Sequence, residues 1–255
     1  MSSTIKFGCS ECKDLGSLGI PFTMAFQPFV DIKNKNIYGY EALVRGPNNE
    51  PASFILNQLN DANRYKFDQS IRVKAIELAT ELNLEGILSI NFLPNAVYKP
   101  ETCIRATLEA AKRLNFDTSR IMFEVTEGEK IVDHNHLANI FIEYRKHNFI
   151  TAIDDFGAGY SGLNLLADWQ PNIIKLDMAL TRNIHQDKVR QSLVKGILTV
   201  CEDLSIGVIA EGVETIEECR FLISKGVNLF QGYYFARPGF ESLPTVSKEL
   251  LDNLW

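Results

Sequence analysis

The sequence predicts an α/β fold, a β/α barrel whose first strand runs against the rest. Three observations carry that expectation. Eight short apolar runs alternate with amphipathic stretches, many of the runs lack clean polar alternation, and the first two lie too close together to hold a helix between them. Strands buried on both faces read as near-continuous apolar runs. Repeated strand–helix units of this size close into a mainly parallel barrel.

The runs are Phe22–Val30, Ile37–Val44, Ile87–Phe92, Ile121–Val125, Ile150–Ile153, Ile173–Leu176, Gly207–Ala210 and Leu229–Phe235. Only Asp31–Asn36 separates the first two, too short for a parallel crossover, so that pair is expected to be antiparallel. Helical spacing marks the stretches between later runs. In Asp68–Leu82, Ile71, Ala75, Leu78, Ala79 and Leu82 fall on one face. Ile104–Leu114, His136–His147, Val189–Leu204 and Ile216–Lys225 read the same way. The expected architecture is therefore a modified TIM-type barrel with one antiparallel strand near the N-terminus. Residues 1–20, polar and glycine-containing, form an arm ahead of a single domain over 21–255, and no repeat of 20–50 residues appears.

Composition fits one large domain: 255 residues, 45% hydrophobic and 23% charged. A net charge of −6 argues against long nucleic acid held on a broad basic surface. It leaves room for a small anionic ligand beside a bound divalent cation, which reverses the local field. No apolar run approaches the roughly 18–20 residues that span a bilayer. The N-terminus lacks the apolar stretch of a secretory signal, so no membrane insertion and a cytoplasmic location are expected. The five cysteines, at 9, 12, 103, 201 and 219, are odd in number and scattered, which suggests reduced thiols. Cys9 and Cys12 form a C-x-x-C with no second pair to complete a metal site.

Polar residues recur at the ends of the apolar runs. Glu41 lies in the second, Asn91 near the end of the third and Glu124 in the fourth. Asp154-Asp155 follows the fifth, Lys175 lies in the sixth, Glu211 follows the seventh and Gln231 lies in the eighth. Each has a bland reading alone. A strand-end carboxylate often caps the next helix, Lys175 could pair with Asp177, and Gln231 before Gly232 could be turn chemistry. Taken together they crowd one rim of a barrel, where the active sites of such folds lie. Carboxylates so gathered repel one another unless cations neutralise them. Oxygen-only ligands suit Mg²⁺ or Mn²⁺.

The ordered motifs are Phe26-Gln27-Pro28, Glu41-Ala42-Leu43-Val44-Arg45, Asn91-Phe92-Leu93-Pro94 and Phe123-Glu124-Val125-Thr126-Glu127. They continue with Asp154-Asp155-Phe156-Gly157-Ala158-Gly159-Tyr160, Lys175-Leu176-Asp177, Ala210-Glu211-Gly212-Val213-Glu214 and Gln231-Gly232-Tyr233. On these, the chain resembles the EAL family of cyclic-di-GMP phosphodiesterases over roughly residues 20 to 245. The resemblance implies hydrolysis of cyclic di-GMP to the linear dinucleotide pGpG, with two Mg²⁺ or Mn²⁺ ions per active site. It implies that Glu41, Asn91, Glu124 and Asp154 hold the first metal, with Asp155 reaching a second or bridging both. Lys175 and Glu211 would position and deprotonate the attacking water, completing a catalytic set with Asp155. Gln27, Leu43, Arg45, Asn91 and Gln231 would contact substrate or its immediate surroundings, Arg45 by gripping a phosphate. Glu127 would anchor the Phe156–Gly162 loop, and a homodimer would form near that loop and the helix after it. Ala158 and Gly162 depart from the Thr and Ser that the family often carries there, without loss of a ligand. Two other readings use the same fold: a non-catalytic cyclic-di-GMP receptor and a protein-interaction module.

Overall fold

A computed structural model describes residues 19–126, 134–159 and 162–254. The elements run β1 (Thr23–Asp31), β2 (Asn36–Arg45), α1 (Ala52–Leu56), α2 (Arg64–Glu81), β3 (Ile87–Asn91), α3 (Pro100–Cys103), α4 (Arg105–Arg113) and β4 (Ile121–Thr126). After these come α5 (His134–Lys146), β5 (Ile150–Phe156), α6 (Gly162–Asp168), β6 (Ile173–Leu176), α7 (Met178–Thr181) and α8 (Lys188–Asp203). The chain continues through β7 (Gly207–Ala210), α9 (Ile216–Ile223), β8 (Leu229–Gln231), β9 (Gly239–Phe240) and α10 (Lys248–Asp252).

Strands β2 to β8 pair in parallel in sequence order, and β1 closes the ring between β8 and β2, antiparallel to both. The expected antiparallel first strand is present. β9 adds to β1 at Ala25 and Phe26, outside the eight-stranded ring.

Period-two alternation sorts side chains between two apolar clusters. On β4, Phe123 and Val125 join the large core between barrel and helices, where Ala75 and Ile76 of α2 and Phe141 of α5 also lie. Met122 faces the other way and meets Phe29, Ala152, Ile173 and Ile209 inside the ring. These five form the floor of the barrel. Gly39 of β2 makes room for it, because a Cβ there would stand 2.8 Å from a Phe29 ring carbon and 2.3 Å from the Ile87 carbonyl.

The differences from the sequence reading lie in short or interrupted elements. β8 stops at Gln231, although the apolar run continues to Phe235. The chain turns because Gly232 packs where a Cβ would lie 2.0 Å from the Val213 carbonyl. Tyr234 and Phe235 then pack on the outer core as turn residues. The helix read over Ile104–Leu114 is preceded by the separate turn of α3, and α2 begins four residues earlier than Asp68. Elements α1, α6, α7, α10 and β9 have two to seven residues each, too few turns or alternations to set up a readable period. Residues 1–18 of the expected arm, with Cys9 and Cys12, lie outside the described residues. Among the described residues no helix is long and apolar enough to cross a membrane.

Candidate active site

Above the apolar floor the barrel interior turns polar. Glu41, Glu124, Asp154 and Lys175 are all buried, brought together because each occupies an inward position on its strand. The Lys175 ammonium sits at the centre, 2.7 Å from Glu211 Oε1, 2.8 Å from Glu124 Oε2, 2.9 Å from Asp154 Oδ1 and 3.3 Å from Glu41 Oε2. The suggested Lys175–Asp177 pair does not form. Asp177 instead caps α7, accepting the Ala179 N–H at 2.7 Å.

The neutral polar residues hold this group in place. Asn91 donates to Glu41 Oε1 at 2.8 Å and Gln231 donates to Glu41 Oε2 at 2.8 Å. Gln27, opposite Glu41 in the β1–β2 register, accepts from Gln231 at 3.4 Å and donates to the Ala236 carbonyl at 3.3 Å. Glu124 accepts from Ser89, a residue absent from the sequence reading. Its only signal is the two-residue step to Asn91 along one strand. Leu43 and Arg45 continue the inward-facing positions of β2 toward the mouth, both half-buried. Arg45 Nη1 donates to the Val44 carbonyl at 2.8 Å, and Arg45 makes no ion pair among the described residues.

Adjacent residues of a regular strand face opposite ways, so Asp154 and Asp155 need a local device to share one site. The β5–β6 register shifts between Ile153 and Phe156, and Asp155 has φ 54°. This bulge breaks the alternation. Aspartate is among the few non-glycine residues that enter the left-handed region readily. Glu211 is placed by its chain neighbours: its N–H donates to the Leu176 carbonyl at 3.0 Å and its carbonyl accepts Thr181 Oγ1 at 2.6 Å. The next residue, Gly212, has φ 63° with Met178 Cβ 2.4 Å from where a Cβ would stand, so the turn admits no side chain. Glu127 lies outside the described residues, as do residues 160 and 161 of the loop it was expected to anchor.

Crowding shows in the ionisation of these groups. Burial, reinforced by the Glu41 and Asp154 carboxylates and opposed by Lys175, pushes Glu124 up to about 8. Burial together with Asp154 and Asp177 raises Asp155 to about 6. Glu211 is pushed well up by burial and by three neighbouring carboxylates. Burial alone would lower Lys175, but its carboxylate neighbours win and hold it protonated. A carboxyl whose folded value lies above its unfolded one binds more protons in the folded state. Its contribution therefore falls as pH rises between the ordinary 4.5 and about 8 for Glu124. Thermal melts in chelator should show wild type losing stability across that window and Glu124→Gln losing less. An equally steep slope in the variant would remove Glu124 as the source.

The donors suit divalent cations. Two groups of carboxylates, Glu41–Glu124–Asp154 and Asp154–Asp155–Glu211, each bring one oxygen per residue within 4.8 Å of the others. Asp154 belongs to both. Among the described residues Gln231 Oε1 is buried with no hydrogen-bond donor, and Asp154 Oδ1 has the Lys175 ammonium at 2.9 Å. The unpartnered amide oxygen and the gathered carboxylates fit a hard cation. The mouth above them is a cavity of about 310 Å³, with Arg182, Glu214, Met178 and Tyr233 on its wall. Arg182 and Met178 are absent from the sequence motifs, and Glu214 and Tyr233 stand in them without an assigned role; Arg182 and Glu214 pair at 2.7 Å.

Residues 20–238 match the model of the EAL domain. The chain belongs to the EAL domain family. Among curated EAL relatives, the antirepressor BluF of Escherichia coli (strain K12), described as regulated by blue light and temperature, is 32% identical over 92% of this chain and 60% of its own length. The cyclic di-GMP phosphodiesterase PdeR of the same organism is 37% identical over 58% of this chain and 22% of its own. The chain spans 22% to 60% of the first curated relatives it matches. A standalone versatile EAL protein from Vibrio cholerae O395, solved in a c-di-GMP-bound form, is 59% identical with a TM-score of 0.89. That match covers 92% of this chain and 99% of the other.

Proposed function

We propose that this protein hydrolyses cyclic di-GMP to linear pGpG in a reaction that requires Mg²⁺ or Mn²⁺, two ions per site. The observation that carries the reading is the pair of carboxylate groups sharing Asp154 around a buried lysine. The name of PdeR and the c-di-GMP-bound form of the Vibrio relative support it. Bound at such a pair of sites, divalent cations acidify water and screen the charge of a phosphodiester. Glu41, Asn91, Glu124 and Asp154 would hold one ion, and Asp154, Asp155 and Glu211 the other. Glu211, raised in proton affinity and open at the mouth, would take the proton of the attacking water. Lys175 would keep positive charge beside that water. Arg45 would grip a phosphate, with Gln27, Leu43 and Gln231 beside the nucleotide and Glu127 bracing the Asp155 loop. A cytoplasmic location goes with this reading, since Cys103, Cys201 and Cys219 are free and buried.

The deciding experiment is a turnover assay on purified protein. We expect conversion to pGpG with Mg²⁺ or Mn²⁺, none in excess chelator, and inhibition by Ca²⁺, whose longer, looser coordination misplaces the groups. Full turnover after verified metal removal would overturn the cation requirement. Tight binding of cyclic di-GMP without cleavage in any metal would favour a receptor, and no binding at all an interaction module of the kind BluF's name suggests.

We also propose a homodimer formed near the 156–162 loop and α6. Leu163 on α6 is 64% exposed, and Val189, Leu193, Val200 and Leu204 line the outer face of α8 at helical spacing. These helices follow the adjacent strands β5 and β6. A two-fold contact there would bear on Asp154 and Asp155 through β5. Light scattering should give twice the chain mass, and Leu193→Asp should halve it. A fully active monomer at high concentration would reject the dimer.

A further inference from the structure

Among the described residues, one ion pair outside the carboxylate cluster is completely buried. Asp68 and Arg72 stand one turn apart on α2, with Arg72 Nη2 2.6 Å from Asp68 Oδ2 and both side chains inaccessible to solvent. Arg72 Nη1 donates to the Tyr144 hydroxyl of α5 at 2.6 Å. The guanidinium carbon is 5.0 Å from the centre of the Phe123 ring and 5.4 Å from that of Phe92. Arg72 Nε has no hydrogen-bond acceptor among the described residues, so aromatic faces are its surroundings, an arrangement that favours a cation. Asp68 Oδ1 accepts the Leu93 N–H at 2.8 Å.

Apolar residues of similar volume often replace a buried pair with no loss of stability. Stability alone therefore gives little reason for this one. Its contacts share a different property. Phe92 and Leu93 directly follow Asn91, and Phe123 directly precedes Glu124. Asn91 and Glu124 are register partners on β3 and β4. By strand alternation Phe92 and Phe123 point outward to α2 while Asn91 and Glu124 point into the barrel. The pair thus grips the back of the wall whose front carries these two side chains.

We infer that Asp68 and Arg72 are positioning residues, setting Asn91 and Glu124 from behind the barrel wall; the inference rests on the functional reading above. Asp68 fixes the chain leaving β3 through the Leu93 amide. Arg72 ties the ring of Phe92, just past β3, to that of Phe123 on β4 and to α5. Of the residues expected beside substrate, only Asn91 lies on a strand that the pair grips, while Gln27, Leu43, Arg45 and Gln231 lie on β1, β2 and β8, so substrate binding is disturbed less than the carboxylate cluster.

The test is the double variant Asp68→Leu/Arg72→Met in the full chain, which removes both charges together and keeps the volume filled. Three measurements are made: Mn²⁺ affinity by calorimetry, steady-state kinetics on cyclic di-GMP, and hydrogen exchange of the Leu93 amide in chelator. The expected result is a folded protein whose Mn²⁺ affinity falls about 10–100-fold, the usual cost of losing support behind metal ligands. Its kcat falls by a similar factor, KM changes less than about twofold, and the Leu93 amide exchanges faster. Wild-type Mn²⁺ affinity, kcat and Leu93 protection in a folded double variant would overturn the inference. If that variant does not fold, Arg72→Lys takes its place. It keeps the charge without the planar fork, and the same three readouts decide in the same direction. A wild-type chain that neither takes up Mn²⁺ nor cleaves substrate fails the functional reading itself. Leu93 exchange in the variants then decides the anchoring alone.

Discussion

Glu41→Ala should abolish measurable turnover while leaving the barrel folded. The Glu41 carboxylate accepts hydrogen bonds from Asn91 and Gln231 and lies 3.3 Å from Lys175 Nζ. Removing it takes an oxygen from the Glu41–Glu124–Asp154 group and frees the two amides that orient toward it. If Glu41 holds a cation as proposed, its loss would remove the main source of rate, and a drop beyond about 10³-fold is expected. Losing even one electrostatic contact in such a site typically costs 10²–10³. The fold tolerates the change because three carboxyl groups, those of Glu124, Asp154 and Glu211, still surround the Lys175 ammonium. Circular dichroism and a thermal melt should therefore match wild type within a few degrees. An assay that found more than a tenth of wild-type turnover would remove Glu41 from the cation site.

Lys175→Met should lose both turnover and metal-free stability, and a divalent cation should restore only the second. With the ammonium gone, Glu41, Glu124, Asp154 and Glu211 face one another without a counter-charge. Removing one partner of a buried ion pair costs about 3–5 kcal/mol, a fall in melting temperature of roughly 6–20 °C for a domain of this size. The raised proton affinities of Glu124 and Glu211 give the cluster a partial escape, since either can hold a proton instead. The loss should accordingly be smaller at pH 5.5 than at pH 8. Adding Mn²⁺ supplies the missing positive charge and raises the melting temperature, yet turnover stays at least about 10²-fold down, the scale of lost acid–base assistance. Wild-type turnover in Lys175→Met would show that the lysine is a structural counter-ion alone.

What the sequence makes legible follows from how far each signal reaches along the chain. The barrel is legible because each strand of four or more residues overlaps one of the apolar runs. The antiparallel β1 is legible because a connection as short as Asp31–Asn36 permits nothing else. Glu41, Asn91, Glu124, Asp154, Lys175, Glu211 and Gln231 are legible because charged and amide groups interrupt those runs at one end, and the structure brings them around one lysine. Ser89 is not, since a serine in an apolar strand looks like a filler until Glu124 is seen to accept from it. Arg182 is not legible either, and Tyr233 stands in a motif without a role, because both lie in turns whose approach to the mouth depends on tertiary packing. The bulge at Asp155 is likewise invisible: a register shift is a property of two strands, and Asp-Asp before Phe-Gly reads equally well as a helix cap.

The packed floor of Phe29, Met122, Ala152, Ile173 and Ile209 has a consequence for traffic. If the protein turns over substrate as proposed, this floor leaves reactant, water and product to cross the same opening at the C-terminal ends of the strands. Departing product and arriving reactant must therefore take turns at one doorway. Anything that settles over that doorway halts entry and exit together, so a single covering contact would suffice to silence the protein without touching a catalytic atom.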